Sequence, residues 1–383
     1  MFNKKNLQLL MVAVLSSLLT FAGTIGLIAA NVGDTLGFIR FQRVLGLVKR
    51  DFDGEVTYKQ LYEGAMKGAV KATGDPYTVY LDKKDFANLN RMTESTFGGV
   101  GIVYGQREGN YVIISALENN PAAKAGVKGG EIILEVDGKK TSELNMEQVS
   151  MAIRGPKGTE VKLKLQNKDG KQWEATITRD DIKNQSVAGK LLDDTKIGYI
   201  RISMFNESTG EDFGQKYQEL EGKGMEALVL DLRSNPGGTL RDGVAVSRYL
   251  VPKGPIVSII ESNGRKYTEE SSLEKVKYPL VVLVNGGTAS AAEIVSGAVK
   301  DTKAGHLIGT KTFGKGSVQQ VYRLGKETGL KITMAKYYTP SGVSIHNKGI
   351  EPDQVVELPE NATEDNQLQA AKDYLLQQLA KKK

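Results

Sequence analysis

The sequence predicts a chain of several domains that combines α/β and α+β organisation. The chain has 383 residues, which is enough for two or three domains. Residues 190–358 alternate strand-like and helix-like stretches, a pattern typical of a parallel or mixed sheet with crossover helices. Residues 95–180 instead carry short strands separated by glycine turns, which indicates a separate domain.

The composition is that of an ordinary globular protein, with 40% hydrophobic and 25% charged residues. The net charge is +6, but lysine and arginine are spread along the chain without basic runs interleaved with aromatics. This distribution favours a mildly basic solvated surface over nucleic-acid binding. The absence of cysteine removes disulfides, thiol nucleophiles and cysteine-ligated zinc from consideration.

The N-terminal segment is predicted to cross a membrane. Residues 7–30 form an uncharged run of 24, which is longer than the apolar region of a signal peptide. Two lysines precede the run and Asp34 is the first charge after it, so the positive-inside rule puts the body outside. We expect a single-pass anchor in the cell membrane, with the body extracellular or periplasmic. The alternative is a cleaved signal peptide and a secreted body.

Residues 33–94 are predicted to form two or three amphipathic helices. Apolar residues recur three and four positions apart in two stretches: Phe38, Phe41, Leu45 and Val48, then Leu61, Ala65, Ala69 and Ala72. Gly74-Asp75-Pro76 ends the pattern. Such helices suit a dimerisation element, and a helical flap packed on the main domain is the alternative.

Strands and helices are predicted through the rest of the chain from their periodicity. The predicted strands cover residues 111–117, 159–166, 196–203, 225–233, 279–285 and 317–324. The predicted helices cover residues 121–126, 146–155, 210–222 and 289–301, with an amphipathic helix in the tail 360–383.

Ser290 is the candidate nucleophile. It follows a buried strand and the turn NGGTA, and it opens a helix. Free backbone amides and the positive dipole at a helix start stabilise a developing oxyanion. A simple helix N-cap is the alternative role for this serine. His306 and His346 are the two histidines, neither adjacent to a serine nucleophile, and the sequence contains no HExxH motif or other histidine pair for zinc.

A second glycine corner, RSNPGG, occupies residues 233–238. The backbone amides of Gly237 or Gly238 could form an oxyanion hole together with the amide of Ala291. The alternative is a tight turn without a catalytic role.

Lys315 lies in GTKTFGKGSVQ, residues 309–319, which partly matches a phosphate-binding P-loop. Gly316 occupies the position that requires serine or threonine, and a strand rather than a helix is predicted next. The alternative to an exposed turn lysine is a general base whose pKa is lowered by desolvation. Phe313 and Val318 are expected to shield such an amine, and Gln319 to orient it by accepting a hydrogen bond.

These residues and the 95–180 block together resemble the C-terminal processing peptidases, tail-specific serine proteases that use a Ser–Lys dyad. The matching segments run in family order and cover nearly everything after residue 35: GDPYTVYL, FGGVGI, NNPAAKAGVKGGEIILEVDGK, IRGPKGT, LVLDLRSNPGG, GGTASAAEIVSGAVKD, GTKTFGKGSVQ, YYTPSG and GIEPD. The resemblance implies a serine endopeptidase with Ser290 as nucleophile, Lys315 as general base and Gln319 as the residue that orients Lys315. It implies no metal, nucleotide or other cofactor.

The 95–180 block is similar to a PDZ domain, which captures a peptide C-terminus by strand addition. The residues that match its carboxylate loop and edge strand are Gly98, Gly99, Val100, Gly101 and Ile102. Arg154 is a candidate for coupling this groove to the protease, and a solvent-facing arginine at a helix end is the alternative.

The resemblance also predicts the domain organisation and the partners. The predicted domains are a signal anchor (1–32), a helical dimerisation region (33–94), an inserted PDZ domain (95–182), a protease core with crotonase/Clp-like ββα units (183–358) and a C-terminal helical tail (359–383). The expected partners are proteins with apolar C-termini, the membrane and a second copy of the chain, without nucleic acid or nucleotide. A non-catalytic PDZ scaffold on the same fold is the alternative.

Overall fold

The computed structural model describes residues 11–17, 20, 33–107, 109–117, 119–359 and 364–382. The predicted anchor, residues 7–30, lies mostly outside the described residues. Within the described ranges, no helix is both long and apolar enough to cross a membrane. The chain divides into two compact units, which meet in the sequence between Asp82 and Lys83.

The first unit contains the helices α1 (Thr35–Asp51) and α2 (Tyr58–Lys71) and the short strand β1 (Val79–Leu81). Asp34 begins α1, because its side chain accepts a hydrogen bond from the Gly37 amide. Thr57 begins α2 through a reciprocal pair of hydrogen bonds with Gln60, the arrangement called a capping box. The prediction of two or three amphipathic helices over residues 33–94 is confirmed, and two of them lie in this unit.

The second unit begins with α3 (Lys83–Thr93) and a small β-rich block. The elements of this block are β2 (Thr96–Gly99), β3 (Ile102–Arg107), β4 (Asn110–Ala116), α4 (Pro121–Lys124), β5 (Ile132–Val136), β6 (Lys139–Lys140), a 3-10 turn (Thr141–Glu143), α5 (Met146–Ile153), β7 (Glu160–Gln166), β8 (Gln172–Thr178) and β9 (Asp180–Lys183). An antiparallel sheet runs in the order β3-β4-β5-β7-β8, with β6 beside β5. The entering strand β2 pairs with the leaving strand β9, so the two ends of the block lie side by side.

The described remainder of the second unit carries two sheets and four helices. Its elements are β10 (Val187–Leu191), β11 (Ile197–Ile202), α6 (Thr209–Gly222), β12 (Ala227–Asp231), α7 (Leu240–Leu250), β13 (Gly254–Glu261), β14 (Lys266–Ser271), β15 (Leu280–Val284), α8 (Ala291–Asp301), β16 (His306–Gly309), β17 (Ser317–Arg323), β18 (Gly329–Tyr338), β19 (Gln354–Val355) and α9 (Asn366–Lys382). One sheet runs β10-β11-β12-β15-β16-β19 and is parallel except at β10. The predicted mixed sheet with crossover helices is confirmed.

The central strands of this sheet are buried on both faces, as their continuous apolar sequences predict. Leu228 and Leu230 of β12 belong to a core shared with α7, α8 and the second sheet. Ala227 and Val229 point to the opposite face, where Ala371 and Leu375 of α9 cover them. The second sheet contains the antiparallel strands β17, β18, β13 and β14 in that order. The stretch after Lys315 is thus a strand, as predicted, and the P-loop architecture is absent there.

Candidate active site

Ser290 stands between the buried strand β15 and the start of α8. Its backbone has φ 55° and ψ −118°, a strained conformation for a residue with a side chain. The turn before it is fixed by two hydrogen bonds, from the Thr288 amide to the Asn285 carbonyl oxygen (2.8 Å) and from the Asn285 amide to Thr288 Oγ1 (3.0 Å). Such a sharp strand-to-helix turn presents the serine side chain at the edge of the sheet.

The glycine corner after β12 packs directly against this turn. The Ala289 amide donates to the Asn235 carbonyl oxygen over 2.9 Å. A Cβ atom at Gly237 would come within 2.7 Å of the Ser290 Cβ, and one at Gly238 within 1.9 Å of the Phe205 carbonyl oxygen. Since both glycines also have positive φ, no larger residue fits at either position.

The three backbone amides of the predicted oxyanion hole differ in whether another group of the protein already engages them. The Gly237 amide is already engaged, because it donates to Asn235 Oδ1 over 2.8 Å. The amides of Gly238 and Ala291 have no acceptor among the described residues, and both residues line the cavity at Ser290. Of the two glycines in the predicted oxyanion hole, Gly238 is therefore the one whose amide is available.

A cavity of about 430 Å³ brings most of the predicted site residues together. We call it the Ser290 cavity, and its lining includes Ser290, Ala291, Gly237, Gly238, Lys315 and Gln319. Its apolar wall is formed by Leu89, Met204, Leu240, Ile294, Val318 and Val321.

Phe313, which was expected to shield Lys315, is 58% exposed and is not part of the lining, so that prediction is wrong. Its amide donates to the Thr288 carbonyl oxygen, which fixes the loop with the ring outside.

Gln319 is held in place by two hydrogen bonds, one within β17 and one to the neighbouring strand β18. Its side-chain nitrogen donates to Ser317 Oγ over 2.8 Å and to Thr333 Oγ1 over 3.3 Å. These bonds use the amide nitrogen and leave the side-chain oxygen as an acceptor for an amine.

Glu293 connects the Ser290 turn to the Lys315 loop, and the sequence analysis missed it. Its carboxylate is fully buried on the first turn of α8. Oε2 accepts hydrogen bonds from the amides of Ser290 (2.9 Å) and Lys315 (2.8 Å), and Oε1 accepts from Thr312 Oγ1 (2.6 Å) and the Gly314 amide (2.7 Å). The available signal was a carboxylate within the otherwise apolar run AAEIVSGAV.

Tyr337 makes a second connection between the same two segments. Its buried hydroxyl lies 3.1 Å from the Ser290 carbonyl oxygen and also contacts the Lys315 carbonyl oxygen. No local pattern indicated this role, because the two partners are 47 and 22 residues away in the chain.

Neither histidine lines the Ser290 cavity, so a Ser-His-Asp triad is not assembled there. His306 stacks on Tyr374, with ring centroids 4.3 Å apart. The backbone of His346 lies against Gly316, where a Cβ atom would come within 2.6 Å of the His346 amide nitrogen. This contact explains why glycine occupies the position at which a P-loop carries serine or threonine.

Arg233, at the end of β12, joins the glycine corner to the C-terminal helix. Its guanidinium donates to buried Asp231 (2.7 Å) and to Asp365 (2.7 Å) just before α9. Burial lowers the pKa of Arg233, but its hydrogen bonds with Asp365 and Asp231 outweigh that effect and raise it overall. Burial raises the pKa of Tyr199, whose hydroxyl donates to Asp231, to about 12, and the Asp231 charge adds to the rise.

A second cavity, of about 380 Å³, lies between β3 and α5, and we call it the β3 groove. Among its lining residues are the predicted Gly99, Val100, Gly101 and Ile102. Gly98 is not in the lining; its carbonyl oxygen accepts a hydrogen bond from the Gly155 amide instead. In the described part of its sheet, β3 pairs only with β4, so its outer edge is open to an added strand.

Arg154 lies at the end of α5 and lines the β3 groove. Its guanidinium carbon is 3.9 Å from the centre of the Phe97 ring, an arrangement typical of a cation–π contact. Burial raises the pKa of Tyr104 in the same groove, while its hydrogen bond with Ser150 and the Arg154 charge oppose the rise. Arg154 therefore lies in the groove lining, rather than only in solvent.

Comparison with known proteins identifies the family. Residues 196–356 match peptidase family S41, residues 112–167 match a PDZ domain and residues 30–85 match the N-terminal domain of the activating protease CtpB. The carboxy-terminal processing protease CtpA of Bacillus subtilis (strain 168) is 35% identical over 360 residues, which cover 92% of this chain and 77% of the relative. CtpB of the same organism is 36% identical over 328 residues, covering 84% and 68% respectively.

A solved structure described as an S41 protease of Bacteroides fragilis NCTC 9343 has the same fold. It superposes with a TM-score of 0.53 at 17% identity, and covers 86% of this chain and 95% of its own. The sequence matches agree with this fold and extend over both the PDZ block and the α/β core. The chain belongs to the carboxy-terminal processing proteases of peptidase family S41, and is a serine-type endopeptidase with a PDZ domain.

Proposed function

We propose that this endopeptidase cleaves its substrates with a dyad of Ser290 and Lys315. The observation that carries the proposal is the Glu293 carboxylate, which accepts hydrogen bonds from the backbone amides of both residues through one oxygen atom. The two residues are 25 positions apart in the sequence, so this carboxylate connects two separate segments of the chain. Both side chains line the same cavity.

In the proposed reaction, the neutral amine of Lys315 accepts the proton of the Ser290 hydroxyl as the oxygen attacks the peptide carbonyl. The amides of Gly238 and Ala291 stabilise the oxyanion that forms. Lys315 then gives the proton to the leaving amine, and an acyl-enzyme remains on Ser290. Water activated by Lys315 releases the acyl group and regenerates the serine.

The base must be neutral, whereas an ordinary lysine with a pKa near 10.4 is charged at neutral pH. Burial in an apolar site disfavours the charged form of an amine. Val318, Val321 and Ile294 line the cavity and supply such surroundings, and substrate would exclude further water. The oxygen of Gln319 is proposed to orient the amine.

The β3 groove is proposed to bind the apolar C-terminal tail of an unfolded or exported protein. The tail would add a strand to the open edge of β3, and amides in the segment Gly99 to Ile102 would hold its carboxylate. Arg154 is proposed to couple occupancy of the groove to the protease. Gly98 would act through its contact with Gly155.

The domain boundaries, location and assembly are further parts of the proposal. The proposed domains are an anchor over residues 1–32, a helical region over 33–94, a PDZ domain over 95–182, a protease core over 183–358 and a tail over 359–383. Residues 7–30 would hold the body at the outer face of the membrane. A homodimer would form through residues 35–75 and the C-terminal tail; Leu36 and Ile39 of α1 are 67% and 57% exposed, which supports a contact there.

The test is cleavage of an unstructured protein with an apolar C-terminal tail by the full chain, comparing wild type with Ser290→Ala and Lys315→Ala. Both variants are expected to lose cleavage while they still bind the tail peptide. Cleavage that survives in either variant contradicts the dyad. If the wild type binds tails but never cleaves, the chain is a non-catalytic scaffold.

A further inference from the structure

Lys331 is a second lysine in the Ser290 cavity. It comes from β18, and Lys315 and Lys331 are the only charged residues among those that line the cavity in the described part of the chain. The wall around Lys331 is otherwise apolar or uncharged. The proposed reaction requires one amine and leaves the second without a function.

Lys331 lies one step further along the hairpin than Gln319. It pairs with Val321, two residues beyond the pair of Gln319 with Thr333, so its side chain shares their face of the sheet. Tyr337, whose hydroxyl contacts the carbonyl oxygens of Ser290 and Lys315, is six positions further along β18. At about 3.3 Å per residue, this spacing corresponds to roughly 20 Å of strand.

The roughly 20 Å separates backbone positions along β18, whereas the side chains of Lys315 and Lys331 line the same cavity, so a charge effect on Lys315 is left to the test below. An extended substrate with its scissile bond at Ser290 passes the same distance in several residues. Lys331 is therefore placed to contact an extended substrate whose scissile bond lies at Ser290.

Within the part of the chain that the structure describes, the ammonium group of Lys331 has no anionic partner. Its side chain is half-buried, and no carboxylate within the described ranges lies close enough to form an ion pair with it. Lys83, by comparison, pairs with Glu327 over 2.7 Å near the turn of the same hairpin. A half-buried cation without a counter-ion gains more from an incoming anion than a fully solvated one does.

We propose that Lys331 binds a carboxylate of the polypeptide substrate, several residues from the scissile bond. The carboxylate belongs to an aspartate or glutamate side chain or to the free C-terminus of a short substrate, since these are the anions that an unmodified polypeptide carries. This inference rests on the proposed peptidase reaction. It adds an electrostatic preference to a cavity whose other walls select apolar groups.

The test uses fluorogenic peptides in which glutamine is replaced by glutamate at one position at a time on both sides of the cleaved bond. A parallel pair differs only in a free or amidated C-terminus. For each variant, the measured quantity is the ratio of kcat/KM between the charged and uncharged peptide. This ratio is independent of the fraction of enzyme that is folded.

Wild type is expected to prefer the carboxylate about fivefold at one position or at the terminus, through a lower KM, with the preference falling as salt is added. Lys331→Met is expected to bring the ratio to one, and Lys331→Arg to retain part of the preference. Lys336→Met is the matched control, because it removes the same charge from an exposed position on the same strand. It should keep the wild-type ratio.

Three outcomes would overturn the proposal. Wild type shows no preference for any carboxylate, the preference survives in Lys331→Met, or Lys331→Met shifts the pH profile of kcat with the uncharged peptide. The last result would assign Lys331 to the ionisation of Lys315. Cleavage by Ser290→Ala would instead refute the proposed reaction, so the two failures are distinguishable.

Discussion

The Ser290 cavity and the β3 groove are built in different ways. The cavity depends on buried side chains such as Glu293 and Tyr337, which connect segments distant in the chain. The groove depends on the backbone of one short stretch and on the helix α5 beside it. Buried polar bonds have few substitutes when one partner is lost, whereas an open strand edge needs no particular side chain. Single substitutions should therefore reduce function far more at the cavity than at the groove.

Among substitutions outside the proposed dyad, Glu293→Gln is expected to have the largest effect on catalysis. Four donors converge on the carboxylate, and the NH₂ group of glutamine must face at least one of them. We expect kcat to fall by about 100-fold or more and the free energy of unfolding to fall by about 2 kcal/mol. Steady-state kinetics and chemical denaturation measure the two effects.

Thr312→Val provides a graded comparison, since it removes one of the four donors to Glu293. Its kcat should fall less than that of Glu293→Gln. A wild-type kcat in Glu293→Gln would show that the shared carboxylate does not position the dyad.

Gly316→Ser restores the P-loop pattern and should be the next most harmful change. The new Cβ would meet the amide nitrogen of His346 at 2.6 Å and its Cα at 2.9 Å, so backbone must move. We expect a loss of about 1–3 kcal/mol of stability, a kcat lowered about tenfold, and no binding of ATP or GTP. Melting temperature, kinetics and nucleotide titration check these points.

Gly325→Ser is the control for Gly316→Ser. A Cβ at Gly325 meets only the side-chain oxygen of Thr328, at 3.3 Å. Similar kinetics for the two variants would mean that the tight contact with His346 does not matter.

Tyr337→Phe removes the buried hydroxyl group that contacts the backbone of Ser290 and Lys315. The carbonyl oxygens of Ser290 and Lys315 lose a shared contact, while the ring remains buried. A net loss of about 1 kcal/mol corresponds to roughly a fivefold lower kcat, with KM unchanged. Tyr338→Phe, at the neighbouring position outside the cavity lining, should behave as wild type. A changed KM with unchanged kcat in Tyr337→Phe would instead place the hydroxyl in substrate binding.

The same contrast explains what the sequence could predict. Ser290, Lys315 and Gln319 lie in short motifs at the ends of strands and helices, so their residue types and spacing were informative. The Glu293 bonds reach Thr312 and Gly314, 19 and 21 residues away, and the bonds of Arg233 to Asp365 cross 132 residues. Such pairs are set by the packing of β12, β15, α8 and α9, and no local pattern contains them. Phe313 shows the converse error, because an apolar residue next to a buried one can still face solvent.

At the β3 groove, Arg154→Ala should have a smaller effect that depends on the substrate. Loss of the contact with Phe97 costs about 0.5–1 kcal/mol, which corresponds to a two- to fivefold higher KM for a protein with an apolar tail. A short peptide that occupies only the Ser290 cavity should be cleaved normally. Arg154→Lys keeps the charge without the planar stacking, so its KM for the protein with an apolar tail should lie between those of wild type and Arg154→Ala. Equal losses with both substrates would place Arg154 in the catalytic reaction.

The smallest effect is expected for Asp365→Asn, because its contact with Arg233 is partly exposed. Burial acts to raise the pKa of Asp365, but the hydrogen bond and charge of Arg233 lower it overall from 3.8. A carboxyl whose folded pKa is lowered stabilises the fold above its unfolded pKa, and this contribution disappears as pH falls through the folded value. Because the Asp365 side chain is 36% exposed, solvent screening limits the contribution to below about 1 kcal/mol.

Denaturation of wild type and Asp365→Asn at several pH values measures this contribution. The difference in unfolding free energy should be constant between pH 5 and 8, and should shrink as pH falls below the ordinary aspartate pKa towards the lowered pKa of folded Asp365. Asp373→Asn, which changes the same charge at an exposed position on α9, should show no such difference. A loss as large as that of Glu293→Gln would break the comparison, because a half-exposed pair would then matter as much as a buried one.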